Sequence, residues 1–348
     1  MSGKPQKGPS AQEKAGVRYA ELAKEREGMT KGAAAAVISR ETGLKLPTIK
    51  RYLADCPVIP VIIQAPEPLG PPEELWEQAK IVNARAQKRA KTRGRASFLV
   101  DEDKPFGLLN SSDEHLDDRG CDLATLEDMT TVVRETDGLY AGLEGDFSNN
   151  FIIRALMGAA LKSNIEPEDA KRMIDYYWSL FGDKILFAVG GNHDAWEKGL
   201  SGMDTLARMA REKRILYDSD QFFIKLKVGS QTYRLLLRHK WRMNSSYNPT
   251  HTCMQATRMG VADEPPDVVV MGHHHDPAIT YWQWYGKRRI AIKTGSAKRN
   301  DDYAHKLGYA DGGFMAPVVI FWPDRHKALV FPDYREGAEY LTYLRGKH

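Results

Sequence analysis

The chain has 348 residues, 42% hydrophobic and 28% charged, with a formal net charge of +4. That composition predicts a soluble globular protein, and no uncharged apolar run is long enough to span a bilayer. The first residues, MSGKPQKGPSAQEK, lack the apolar core of a secretory signal, and the three cysteines, Cys56, Cys121 and Cys253, are scattered and odd in number; a disulfide framework is therefore not expected and a cytoplasmic setting is.

The charge is unevenly spread. Residues 1–97 hold 18 Lys and Arg against 10 Asp and Glu, a balance of +8, whereas residues 98–348 hold 32 against 36, a balance of −4. A basic front end on an acidic body points to a polyanionic partner for the front.

In chain order, residues 1–10 read as a disordered tail and residues 11–55 as helical. Residues 56–72, CPVIPVIIQAPEPLGPP, contain six prolines and are expected to form a semi-rigid linker, followed by a basic helix that completes a connecting region over 56–97. From residue 98 to 348 short apolar runs alternate with helical periodicity: FLV, FGLL, a helix near 123–135, GLYAGL, a helix near 168–181, ILFAV and a helix near 203–213. The later runs FFIKLKV, TYRLLL, VVVM, ITYWQWY, RIAIK, VVIFW and KALVF add strands, with a hairpin expected at Val228-Gly229-Ser230-Gln231. This rhythm predicts an α/β body preceded by a small all-α segment.

Within the front end, Thr30 is placed to cap a helix, Gly43 to supply a positive-φ turn, and Pro47 to sit in the first turn of a second helix. Ser39, Gly43 and Ile49 fit the spacing of a helix-turn-helix, which puts Thr48, Lys50 and Arg51 on the helix that would face DNA. A plain helical hairpin used for packing or dimerisation fits the same residues.

Five polar blocks punctuate the body, each just after an apolar run: Asp113-Glu114-His115, Gly145-Asp146, Gly191-Asn192-His193-Asp194, His239 and Gly272-His273-His274-His275. Open α/β folds place ligand sites at that end of their strands. Asp and His offer oxygen and nitrogen to a cation. In Asp113-x-His115 and His273-x-His275 an extended backbone would aim both side chains the same way, and Gly145, Gly191 and Gly272 are expected to let the chain turn sharply beside the ions. Any single block has an ordinary structural explanation; five in succession behind strands do not.

The series DxH, GD, GNHD, H, GHxH resembles the calcineurin-like metallophosphoesterase superfamily over roughly residues 98–330. The resemblance implies an αββα sandwich and two divalent metal ions, Mn by resemblance, with Fe or Zn also suited to the donors. It implies Asp113, His115, Asp146 and His275 on the first metal and Asp146, Asn192, His239 and His273 on the second, with Asp146 shared. A metal-bridging hydroxide would be the nucleophile, and His193 would stabilise charge or protonate the leaving oxygen. The second block departs from the phosphoprotein-phosphatase pattern GDxxDRG: Asn149 stands where an Asp would orient the catalytic His, and the phosphate-gripping Arg is absent. His251 is a rival for the fourth-block ligand but is expected in a polar loop far from a strand end, and His274 is expected to point away from the metals.

The expected function is a metal-dependent phosphodiesterase, a nuclease acting on DNA, with no membrane partner and with a homodimer left open. Lys240, Trp241 and Arg242, directly after His239, could meet a phosphate or a base. A small-molecule or cyclic-nucleotide phosphoesterase whose front end serves assembly is the alternative; a non-enzymatic DNA-binding adaptor is a third reading.

Overall fold

The computed structural model describes residues 10–25, 29–55, 71–92, 94–152, 165–242, 244–245, 247–259, 264–299 and 313–347. The proline-rich stretch expected as a linker lies outside these over 56–70, as does the expected tail apart from Ser10. The chain separates into two units, Met1–Ala79 and Lys80–His348.

The first unit contains helices α1 (Ala11–Glu25), α2 (Lys31–Thr42) and α3 (Leu46–Ala54). Their apolar faces meet in a small core that buries Ala15, Tyr19 and Leu22 of α1, Ala34, Ala35 and Ile38 of α2, and Ile49 and Leu53 of α3. Thr30 caps α2 by accepting from the Ala33 N–H at 3.3 Å. The three-residue turn into α3 needs Gly43, which has φ 72° and donates its N–H to the Ser39 carbonyl. The Ser39 hydroxyl donates to the Leu44 carbonyl at 2.6 Å, tying the end of α2 to the turn. Helix α4 (Pro72–Thr92) follows.

Among the described residues of the second unit the apolar runs form twelve strands in two six-stranded sheets. One sheet has the order β12-β11-β2-β3-β4-β5, where β2 is Phe106–Ser111, β3 Leu139–Leu143, β4 Ile185–Val189, β5 Leu216–Asp218, β11 Val318–Phe321 and β12 Ala328–Phe331. The other has the order β1-β6-β7-β8-β10-β9, where β1 is Arg95–Val100, β6 Gln221–Val228, β7 Gln231–Arg238, β8 Val268–Met271, β9 Ala278–Trp284 and β10 Lys287–Lys293. Alternation of side chains gives each sheet an inner and an outer apolar face. Phe106, Leu108, Phe187 and Val319 of the first sheet bury against Ile224, Leu235, Val268 and Ile290 of the second.

The outer face of the first sheet packs Leu109, Ala141, Ala188 and Val318 against four helices: α5 (Leu123–Glu135), α6 (Pro167–Leu180), α8 (Thr205–Glu212) and α10 (Tyr334–Arg345). The outer face of the second sheet packs Leu236, Val269 and Ala291 under Cys253 and Ala256 of α9 (His251–Arg258). The architecture is an αββα sandwich with unequal outer layers among the described residues. The hairpin expected at Val228–Gln231 joins β6 to β7, with Gly229 at φ 53°. No described helix is long and apolar enough to cross a membrane.

Strands β2, β3 and β4 are mutually parallel, as are β7 and β8. The five polar blocks follow these strands, so the topology delivers them to the carboxyl ends of two facing sheets.

Candidate metal centre

Six of the block residues collect into two groups: Asp113 with His115 and His275, and Asp146 with His239 and His273. Within each group one ligand atom per residue lies within 4.8 Å of the others. The groups adjoin, because Asp113 Oδ1 is 3.2 Å from His275 Nε2 and 3.9 Å from His239 Nε2. Asp146 Oδ2 is 2.9 Å from His239 Nε2. In the first group His115 Nε2 and His275 Nε2 face each other at 3.3 Å.

The backbone holds these side chains in an unusual conformation. Asp113 (φ 55°), His115 (47°), Asp146 (57°), His273 (79°) and His275 (51°) are all left-handed. The extended backbone expected for the two His/Asp-x-His pairs is therefore not what aims them: β2 ends at Ser111 and β8 at Met271, and the chain beyond each strand coils. For non-glycine residues that conformation costs on the order of 1–3 kcal/mol each, and it persists where surrounding contacts over-determine it. Those contacts are visible. The Asp113 N–H donates to the Gly145 carbonyl at 2.8 Å and the His115 N–H to the Asp146 carbonyl at 3.2 Å. The His273 N–H donates to Asp113 Oδ2 at 2.8 Å, tying the fifth block to the first across 160 residues.

The glycines also act differently from the expectation. Gly145 does turn, with φ 82°, but Gly191 is at φ −92°, open to any residue. Gly191 and Gly272 are required by proximity. A Cβ on Gly191 would come 2.0 Å from Asp146 Oδ1, and one on Gly272 would come 2.1 Å from the Ser112 hydroxyl and 2.4 Å from Asp113 Oδ2.

The third block opens helix α7 (Asn192–Ser201), an element the apolar pattern did not indicate. Its signal was Asp194, which sits at the third helical position as a capping residue does. Asp194 Oδ2 accepts from the N–H groups of Gly191 and Asp146, each at 2.8 Å, and so clamps the second and third blocks together. The His193 N–H in turn donates to Asp146 Oδ1 at 2.9 Å, which leaves Oδ2 as the oxygen facing the imidazoles.

Ring orientation follows from second hydrogen bonds. His239 Nδ1 meets the Glu144 carbonyl at 2.7 Å, so that nitrogen carries the proton and Nε2 is the free face. His193 Nδ1 meets the main-chain carbonyl of Asn149 at 2.6 Å. The Asn149 side chain turns the other way, its amide donating to Asp118 Oδ2 at 2.8 Å. The position that replaces an Asp thus orients His193 through its backbone, because a carbonyl fixes the tautomer without a buried charge. His193 Nε2 lies 3.7 Å from Asp146 Oδ2, and Trp196 covers its ring with centroids 4.3 Å apart.

Burial opposes ionisation of Asp113, yet the imidazoles of His239, His275 and His115 hold its carboxyl well below the usual range. Burial drives the His115 imidazole down to about 3, and burial together with His239 does the same for His273. Neutral rings of this kind keep a lone pair for a cation. Behind them, burial pushes Glu114 up to about 8. The residues fit divalent cations on a further count: Asn192 Oδ1 is buried without a hydrogen-bond partner, and the buried Asp113 Oδ1 and His239 Nε2 face other atoms of the same two groups. Oxygen and imidazole donors without thiolate suit Mn, Fe or Zn.

His274 stands apart from both groups, its Nδ1 3.1 Å from Lys293 Nζ. His251 is also outside them; it opens α9 rather than lying in a loop. Two supports were not singled out from sequence. Ser112 donates to Asp113 Oδ2 and pairs with the Thr294 hydroxyl at 2.6 Å, and buried Lys293 donates to the Gly272 carbonyl. Serine or lysine beside a ligand carries no signal until a distant strand is brought alongside. In the first unit Lys50 and Arg51 are exposed on α3 and Thr48 is half-buried.

No family model matches the chain, and no curated protein matches it. Among solved structures, a conserved uncharacterized protein from Streptococcus pneumoniae, described as a predicted phosphoesterase, is 14% identical, with 66% of this chain and 98% of that chain covered at a TM-score of 0.31. A Bacillus subtilis calcineurin-like phosphoesterase, YfkN, is 10% identical, with 70% and 97% covered at a TM-score of 0.38. The five-block order and the αββα sandwich of this chain resemble the calcineurin-like metallophosphoesterases, and its two three-residue Asp/His groups could each hold a metal ion.

Proposed function

We propose that this protein is a dinuclear-metal-dependent phosphodiesterase, a nuclease acting on DNA. The observation that carries the reading is the pair of adjoining ligand groups, Asp113, His115, His275 and Asp146, His239, His273, built from opposite sheets. Asp113, His115 and His275 would hold one ion and His239, His273 and Asn192 the other, with Asp146 shared. Such a pair, when bound, supplies positive charge to a phosphoryl group and lowers the pKa of a coordinated water.

The chain's own groups do the rest. Asp194 and the His193 N–H fix the Asp146 carboxylate. His193, its Nδ1 proton held by the Asn149 carbonyl, has Nε2 beside Asp146 and would protonate or stabilise the leaving oxygen. Exposed Lys50 and Arg51 on α3 support DNA as the polyanion met by the first unit, since phosphate contacts by Lys and Arg dominate duplex affinity.

The test is a panel assay of the Mn-supplemented full chain on plasmid DNA, single-stranded DNA, bis-p-nitrophenyl phosphate and cyclic nucleotides. Cleavage of DNA and of the diester, lost on chelation, is expected. Turnover of cyclic nucleotides alone would replace the nuclease reading with the small-molecule one, and no turnover with any metal would remove the enzymatic reading.

A further inference from the structure

Beside the second ligand group lies a cavity of about 510 Å³, within the range of about 300–1,000 Å³ in which small-ligand sites fall. Two of its lining residues, Asn192 and His239, belong to the metal centre, so the cavity opens directly from the ligand atoms. Three cations, Arg238, Lys240 and Arg242, line it against one carboxylate, Asp220, and the rest of the wall is the neutral Gly190, Gly191, Ala195, Ser219 and Trp241. The first group, around Asp113, His115 and His275, contributes no residue to it.

The three cations are held differently. Arg238 is structural. Its Nε donates to the Lys240 carbonyl at 3.1 Å, another nitrogen donates to Gln221, and its guanidinium lies 4.8 Å over the Trp241 ring. Trp241 is wedged against the cluster of Leu236, Cys253 and Met271, so the pair fixes the chain from 238 to 241. Its indole N–H is buried without an acceptor. Lys240 and Arg242 are exposed and form no ion pair among the described residues; Arg242 meets the weak acceptor Met259 Sδ, at 3.3 Å, and lies 5.9 Å over the Trp241 ring. An Arg–Trp brace thus positions two unneutralised cations around an opening that leads to His239.

We propose that this cavity is a subsite for a second phosphate, the one flanking the scissile diester on a nucleic-acid strand. The proposal rests on the phosphodiesterase reading and deepens it: the centre reads a diester that carries a further phosphate on the side of Asn192 and His239. A monoester or an isolated diester has nothing to place there, and a solvent-facing Lys and Arg with no ligand would need neither the brace nor the cavity.

The test is calorimetric titration of the Mn-supplemented full chain with thymidine 3′,5′-bisphosphate, thymidine 3′-monophosphate and thymidine 5′-monophosphate. The bisphosphate is expected to bind about tenfold tighter than either monophosphate, a difference of about 1.4 kcal/mol. Lys240→Ala with Arg242→Ala should bring the bisphosphate to monophosphate affinity, and Lys240→Ala alone should remove part of the gain. Equal binding of the three ligands by the unaltered chain overturns the proposal. So does a double variant that weakens monophosphates as much as the bisphosphate, because the two cations would then serve the whole centre rather than a subsite. Hydrolysis of bis-p-nitrophenyl phosphate by the unaltered chain reports separately on the underlying reading: its absence, with the bisphosphate preference intact, would remove the phosphodiesterase and keep the subsite.

Discussion

The two sheets bring different chemistry to their shared edge. The loops after β2, β3 and β4 carry both carboxylates, the Asn192 amide, His115 and His193; the loops after β7 and β8 carry only imidazoles, His239, His273 and His275. Each ligand group draws on both. Because each group spans both sheets, a bound pair would staple the sheets together. Both sides carry left-handed backbone, at Asp113, His115 and Asp146 on one and at His273 and His275 on the other. Asp113 and Asp146 each accept an N–H from a block on another loop, so their carboxylates are held by the fold itself.

That contrast can be broken at several points. The largest effect is expected from Asp146→Asn, because the amide removes the charge shared between the groups: phosphodiester turnover should fall to background and metal content should drop while the circular dichroism spectrum is unchanged. Near-normal turnover with both metals retained would sink the assignment. His193→Ala should cost about 10²–10⁴-fold in turnover, the usual worth of general acid–base catalysis, with both metals still bound. If metal is lost instead, His193 is a ligand and the division between holding and reacting residues is wrong.

Gly272→Ala probes the support. Its Cβ would collide with Ser112 and Asp113, and outer supports of a metal site are typically worth about 10–100-fold in metal affinity, so a loss of that size in a metal titration is expected. Retained affinity would mean that the first and fifth blocks can part without consequence. Chelation tests the staple itself. Metal at a hundredfold excess over its Kd stabilises a fold by about 2.7 kcal/mol, and thermal unfolding with and without Mn should differ accordingly. An unshifted transition would show that the sheets hold together without it.

The smallest effect on chemistry is expected outside the sandwich. Deleting residues 1–72 should leave bis-p-nitrophenyl phosphate hydrolysis within about twofold, since both ligand groups lie beyond residue 112. Duplex binding in a mobility shift should weaken and lose salt dependence, with a slope change of about 0.9 for each phosphate contact removed. Lys50→Ala with Arg51→Ala should reproduce part of that loss in the full chain. Equal duplex binding by the truncated and full chains at two salt concentrations would assign the first unit to assembly.

The sequence by itself determined the alternation of buried strands and helices, the hairpin at Gly229, and the placing of five polar blocks behind strand ends. Apolar runs bounded by glycine and acidic residues are local signals, and local signals survive without a fold. Only the tertiary structure decided how the ligand side chains converge. Left-handed backbone at Asp113, His115, Asp146, His273 and His275 is unfavourable for such residues in isolation, and it exists because N–H groups find acceptors on loops up to 160 residues away. For the same reason the sequence showed at Asn149 only the loss of an orienting Asp whereas the fold supplies the Asn149 carbonyl to His193, and the start of a helix at Asn192 lay hidden in a motif read for its ligands. Lys240 and Arg242 could be noticed beside His239 from sequence, but the cavity they face forms only when the loop after β7 meets the first turn of α7.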